Sequence, residues 1–173
     1  ISTAGDSPRK VRGMDLDGDG VADVVSACYY DNKIAWYENQ GGGAFGPERT
    51  ISVDAYYATG LAVSDLDGDG DADVLSASEG DDKVAWYGNF GSGNFGSQNF
   101  INDPAMTADA SSVFAVDLDG DGDVDALSAS QIDNKVAWYE NLGGGVFGPQ
   151  QVISDQGLAP RDVFAKDLDG DGD

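Results

Sequence analysis

The sequence predicts an all-β chain of repeated four-stranded antiparallel sheets, with three complete units and the start of a fourth. Three observations carry that expectation. The hexapeptide Asp-Leu-Asp-Gly-Asp-Gly begins at Asp15, Asp65, Asp117 and Asp167. The stretches between these copies carry the same parts in the same order. Those parts are short runs rich in Val, Ile, Trp, Tyr and Phe, punctuated by Gly, Asn and Asp, as expected of short strands joined by tight turns. A fixed period of this length means one supersecondary unit repeated along the chain, each copy burying its faces against its neighbours.

The chain divides into repeats 1–50, 51–100 and 101–152 and a truncated 153–173, all within one repeat domain over 1–173. In each, an apolar stretch leads into the acidic loop: Val11 to Met14, Leu61 to Ser64, Val113 to Val116 and Val163 to Lys166. A second follows it, at Ala22 to Ala27, Ala72 to Ala77 and Val124 to Ala129. Polar turns at Asp31-Asn32, Asp81-Asp82 and Asp133-Asn134 introduce the aromatic third stretch, Lys33 to Tyr37, Lys83 to Tyr87 and Lys135 to Tyr139. A glycine cluster then leads to a last segment that opens Phe-Gly, at Phe45, Phe95 and Phe147. No window reads as an amphipathic helix with caps.

Four such strands make the blade of a β-propeller. Both faces of a blade meet other blades, so its strands should be apolar on both sides, as Ile34-Ala35-Trp36-Tyr37 is. Trp36, Trp86 and Trp138 recur at one offset, and read as interblade core rather than as a sugar-stacking platform. Three blades and part of a fourth cannot close a ring of roughly four to eight, about seven if completed. The expected architecture is therefore a partial or open propeller. It is completed by further repeats of the same array, or by self-association through its open blade faces.

Composition narrows the partners. The net charge is −23, from 32 acidic and 9 basic residues, with no histidine. A polyanion repels nucleic acid and anionic lipid. Disorder is the other reading of strong acidity. Against it, 40% of the residues are hydrophobic and the aromatics return at fixed offsets. Cys28 is the one cysteine, so no disulfide forms within the chain; Ser78 and Ser130 stand at its place in the next repeats, a position that wants a small side chain. No apolar run reaches membrane-spanning length, so no membrane insertion is expected. The opening Ile1-Ser2-Thr3-Ala4-Gly5 shows no signal peptide and reads as mature or excised sequence.

The acidic loop carries the chemistry. Counted from Asp15, carboxylates fall at positions 1, 3, 5 and 9 (Asp15, Asp17, Asp19, Asp23), with glycines at 4 and 6 and the Val21 carbonyl available at 7. Two carboxylates about 4 Å apart repel by roughly 4 kcal/mol at an effective dielectric near 20. Four cannot converge without a cation, so folding should be linked to metal. All the donors are hard oxygens, which selects calcium over softer metals, and magnesium's tighter octahedron makes it the weaker candidate. An EF-hand starts alike but needs a Glu at position 12 and flanking helices. Position 12 here is Ser26, Ser76 or Ser128, and the flanks read as strands.

Asp-x-Asp-Gly-Asp-Gly-x-x-Asp between two strands, with a Phe-Gly in each repeat, resembles the FG-GAP/VCBS repeats. These build calcium-stabilised propellers in integrin alpha subunits, fungal propeller lectins and secreted microbial proteins. The resemblance spans essentially the whole chain. It implies calcium ligands at Asp15, Asp17, Asp19, Val21 (carbonyl) and Asp23. It implies the same of Asp65, Asp67, Asp69, Asp71 (carbonyl) and Asp73, and of Asp117, Asp119, Asp121, Asp123 (carbonyl) and Asp125. Asp167, Asp169 and Asp171 would begin a fourth, incomplete site. The Gly-Ala-Pro element of the integrin pattern is replaced by Ser76-Ala77-Ser78 and its equivalents, so the chain is closer to the secreted VCBS-type branch and inherits no ligand specificity.

The expected function is a non-catalytic extracellular module for adhesion or for binding glycan or protein. The alternative is a structural subunit of an extracellular filament or matrix. Catalysis is disfavoured: there is no histidine, the paired carboxylates are taken up by metal, and Lys33, Lys83 and Lys135 recur instead of forming a unique site. Specificity is expected where the repeat breaks, at Tyr56-Tyr57 and at Asp103 to Ser112.

Overall fold

The computed structural model describes residues 7–103, 105, 107–156 and 159–167. Among them are twelve strands and no α-helix. The first sheet holds β1 (Pro8–Met14), β2 (Asp23–Cys28), β3 (Lys33–Tyr37) and β4 (Arg49–Ser52). The second holds β5 (Ala58–Ser64), β6 (Asp73–Ser78), β7 (Lys83–Tyr87) and β8 (Asn99–Phe100). The third holds β9 (Ala110–Val116), β10 (Asp125–Ser130), β11 (Lys135–Tyr139) and β12 (Gln151–Ser154). Each sheet runs in sequence order, and each neighbouring pair is antiparallel. These are three propeller blades, and no sheet closes on itself.

The local reasons are visible in the chain. The acidic loop joins strands one and two, bringing Met14 opposite Asp23 and Ser64 opposite Asp73. The second hairpin turns at Asn32, Asp82 and Asn134, with φ of 54°, 58° and 60°. Asn and Asp tolerate that left-handed conformation better than other side chains do. The fourth strand departs from expectation. Phe45, Phe95 and Phe147 form isolated bridges to Asn39, Asn89 and Asn141. The strand itself starts later, and in the first blade it crosses the repeat boundary drawn at Ile51, pairing Thr50 with Ala35 and Ser52 with Ile34.

The blades stack through two clusters. Leu16, Val25, Ile34 and Trp36 of the first blade pack with Leu61, Val74 and Tyr87 of the second. Leu66, Leu75, Val84 and Trp86 of the second pack with Val113, Ala126 and Tyr139 of the third. Every residue of β6 is buried, which explains an apolar pattern without alternation. The outer faces of the array differ: β1 is mostly exposed, and Leu118 and Trp138 are half-buried. Residues 160–164 run beside β9. Ser111 Oγ donates to Pro160 O at 3.2 Å, Ser112 Oγ to Asp162 Oδ1 at 2.6 Å, and the Phe114 and Phe164 rings meet at 4.9 Å.

Candidate metal centres

Each acidic loop is wound around its first aspartate. Asp15 accepts from Gly18 N and Gly20 N, both at 2.8 Å, while Asp17 Oδ1 accepts from Asp19 N and Asp19 Oδ1 from Val21 N. The pattern returns at Asp65 to Asp71 and at Asp117 to Asp123. The glycines at positions 4 and 6 have φ between 78° and 99°, a region where a Cβ is costly.

The ninth position plays a second part. Asp73 is fully buried; its Oδ2 accepts from Leu66 N at 2.8 Å and its Oδ1 from Asn89 N at 2.7 Å. Asp23 and Asp125 make the same pair of bonds, to Leu16 and Asn39 and to Leu118 and Asn141. Burial pushes Asp73 up to about 6, against the pull of its two amide donors, and raises Asp125 as well. Burial also raises Asp17 and Asp67, helped by neighbouring carboxylates.

Three carboxylates in each loop come together, with oxygens within 4.8 Å of one another: Asp15, Asp17 and Asp19; Asp65, Asp67 and Asp73; Asp117, Asp119 and Asp125. Asp23, Asp69 and Asp121 lie outside those triads. The Asp71 carboxylate faces Gly91, where an added Cβ would stand 3.3 Å from its Oδ2, which leaves position 7 only its carbonyl for an ion. Donors on opposite sides of a calcium-sized ion, at 2.3–2.6 Å each, are about 5 Å apart, so the triads have the span and the hard-oxygen chemistry for such a cation. Asp169 and Asp171 lie outside the described residues, and Asp167 is exposed.

Sequence reasoning missed the asparagines. Asn89 Nδ2 donates to Leu16 O at 2.8 Å in the loop of the preceding blade and to Ala72 O at 3.1 Å in its own. Asn141 Nδ2 repeats this with Leu66 O and Val124 O, at 2.7 and 2.9 Å. Each asparagine therefore rivets two acidic loops together. The signal was present as Tyr-x-Asn at one offset in every repeat: Tyr37 to Asn39, Tyr87 to Asn89, Tyr139 to Asn141. The leucine that recurs inside each acidic motif was likewise unread; Leu16 and Leu66, each 1% exposed, are interblade core.

Stacked four-stranded blades, each with a carboxylate-lined loop between its first two strands, define a repeat β-propeller class. The chain belongs to the FG-GAP-like repeat family, whose model matches residues 15–76, 65–128 and 117–173. No curated protein sequence matches it. Among solved structures, it is similar to an Agrocybe aegerita lectin described for specific recognition of non-reducing terminal N-acetylglucosamine. Identity there is 27%, the TM-score 0.61, and the match covers 85% of this chain and 38% of the lectin chain. It also matches the Photorhabdus luminescens Tc holotoxin pore, at 24% identity and TM-score 0.49, over 86% of this chain and 7% of that one. A third match is the V. cholerae biofilm matrix protein Bap1, at 22% and 0.45, over 83% and 24%. The chain thus spans well under two thirds of each of these structures.

Proposed function

We propose that the chain is a non-catalytic extracellular binding module, stabilised by calcium and directed at glycan or protein. The observation that carries the reading is the repeated carboxylate triad, tied by amide bonds to its own blade and, through Asn89 and Asn141, to the next. Calcium would be held by Asp15, Asp17, Asp19 and Asp23 with the Val21 carbonyl, and by the matching positions 65 to 73 and 117 to 125. Asp167, Asp169 and Asp171 would open a fourth site.

Extracellular calcium modules bind at about 0.1–1 mM. At about 1 mM calcium and a dissociation constant near 0.1 mM, each site stabilises the fold by about 1.4 kcal/mol. Three sites add about 4 kcal/mol, a large share of the stability of a small domain. Such free calcium is found outside the cell, which sets the expected location. No helix among the described residues is long and apolar enough to cross a membrane. The lectin likeness supports the glycan reading. The lysines support the absence of catalysis, since Lys33, Lys83 and Lys135 meet Asp31, Asp81 and Asp133 at 3.6, 2.8 and 3.1 Å, the same pairing in every blade.

Melting Asp67→Ala with and without chelator tests the metal. The loss is expected to be about 1.4 kcal/mol in calcium and near zero in chelator; equal losses would rule out liganding. A proton on Asp73 competes with the ion. Its folded value of about 6 lies above the unfolded value near 3.9, so the folded metal-free chain holds that proton more tightly. This group therefore favours the metal-free fold below about pH 4, and that contribution is lost as pH rises through about 6. Calcium affinity should run the other way, weakening as pH falls below about 6, as calorimetric titration across that range would show.

A second reading, a subunit of an extracellular filament or matrix, is favoured by the outer faces, where Val11, Val152 and Ile153 are exposed and Trp138 is half-buried. Retention of a discrete species on a glycan array supports the first reading. Calcium-dependent growth into long assemblies supports the second.

A further inference from the structure

The repeat breaks at one corner of the molecule. Three of the seven tyrosines, Tyr37, Tyr87 and Tyr139, recur at the end of the third strand and are buried. The other four, Tyr29, Tyr30, Tyr56 and Tyr57, recur nowhere and gather where the first blade joins the second. The later blades put Glu79-Gly80 and Gln131-Ile132 where Tyr29-Tyr30 stand, and Ala108-Asp109 where Tyr56-Tyr57 stand.

The Tyr29 and Tyr57 rings stack, with centroids 4.7 Å apart and planes 18° from parallel, and Tyr30 meets Tyr29 edge-on at 5.1 Å. The backbone under them is fixed. Tyr29 N donates to Ser7 O at 3.1 Å, Tyr57 N to Asn32 Oδ1 at 3.0 Å, and Glu79 N to Tyr57 O at 3.2 Å. Gly80 makes room for the Tyr57 ring, since a Cβ there would stand 2.5 Å from Tyr57 Cδ2. The Glu79 carboxylate accepts from the Tyr29 hydroxyl and also from Gln131 Nε2, at 3.3 Å. Tyr29 is half-buried, with the Arg9 guanidinium 4.6 Å from its centroid, so Tyr57 is the freer ring. Tyr30, Tyr56 and Tyr57 are 61, 49 and 44% exposed, so a reagent in solvent reaches the stack, whereas Trp36 and Cys28 are each 1% exposed.

We propose that Tyr29 and Tyr57 form an oxidative modification site, at which a one-electron oxidant, a peroxidase with hydrogen peroxide, joins the two rings by a carbon–carbon bond. Each phenol gives up one electron and one proton, and Glu79 is placed to take the proton of Tyr29. The two phenoxyl radicals couple at carbons ortho to oxygen. The ring hydrogens on those carbons return to the oxygens, and the chain is left two hydrogens lighter. One hydrogen peroxide takes up the two electrons and two protons and leaves as two waters. A lone tyrosyl radical must meet another chain to couple, whereas these two rings are already in contact, and proximity of that kind favours the internal bond. Rotation of the exposed Tyr57 side chain, a fast motion, carries the stacked rings to the bonded arrangement. The bond ties the residue after β2 to the linker before β5, and so the first blade to the second. It needs neither calcium nor a glycan.

The test treats the full chain, dilute enough that chains seldom collide, with a haem peroxidase and hydrogen peroxide. Dityrosine fluorescence is expected in the monomer fraction, with the intact mass lower by two hydrogens. Trypsin cuts after Arg12, Lys33, Arg49 and Lys83, so the digest should contain residues 13–33 linked to residues 50–83. Tyr57→Phe keeps the stacked ring but forms no phenoxyl radical, so it should melt like the wild type and lose the product. Tyr29→Phe should lose it too, and Tyr56→Phe should keep it. No linked peptide in the monomer fraction overturns the assignment, as does a yield unchanged in Tyr57→Phe or a product found only between chains. Loss in Tyr30→Phe or Tyr56→Phe, with Tyr57→Phe unaffected, places the bond elsewhere and overturns it as well.

Discussion

Gly93→Ala is expected to loosen the first two blades from each other and to cost about 2–5 kcal/mol. A Cβ at Gly93 would stand 2.2 Å from Trp36 Cζ2 and 2.7 Å from Cη2, and the glycine has φ of 67°. Left-handed backbone costs a side chain about 1–2 kcal/mol, and forcing atoms into a packed contact costs about 1–3 kcal/mol more. Trp36 is 1% exposed, within the cluster that joins the two sheets, and has little room to retreat. The chain contains its own control. Gly43 occupies the same place in the first blade, at φ of 82°, with nothing within 4 Å of its Cβ position. Gly43→Ala should show the backbone term alone. The difference between the two variants in denaturant unfolding measures the interblade contact, and equal losses would mean that Trp36 simply moves aside.

Asp73→Ala is expected to destabilise the chain by about 2–6 kcal/mol in chelator, and by about 1.4 kcal/mol more in calcium, where a ligand is lost as well. Removing the carboxylate strands two buried donors, Leu66 N and Asn89 N, at about 1–3 kcal/mol each. The second belongs to the residue that bonds Leu16 O of the first blade, so the damage should spread across the interface. This separates Asp73 from Asp67, whose Oδ1 accepts within the exposed part of the loop, from Asp69 N at 3.2 Å, and whose loss should matter only when calcium is present. Asp71→Ala is the surface control, expected within about 0.5 kcal/mol of wild type. Unfolding in urea with and without chelator resolves all three. A loss for Asp73→Ala that disappears in chelator would mean that the residue serves only the ion.

Much of this molecule can be read directly from the residues. The acidic hexapeptide, the Asp-Asn turns and the Lys-x-Ala-Trp-Tyr strands are local features, and each specifies its conformation within a few residues. Asp15 to Asp23 contain the carboxylates and glycines around which their loop winds, and Asn32 and its equivalents turn the hairpin that the polar pair announces. The fourth strand was harder to place. Phe45 makes a bridge and not a strand, and Arg49–Ser52 has an alternation too short to mark itself.

Other properties exist only between blades. Asn89 and Leu16 are 73 positions apart, and no periodicity shows that one donates to the other. Trp36 is core because Gly93 of the following blade lies on it, whereas Trp138 in the same local sequence stays half-buried. Local sequence sets backbone angles and so writes out loops, turns and strands. Burial and riveting depend on which surfaces meet, and that is settled only when neighbouring sheets stack.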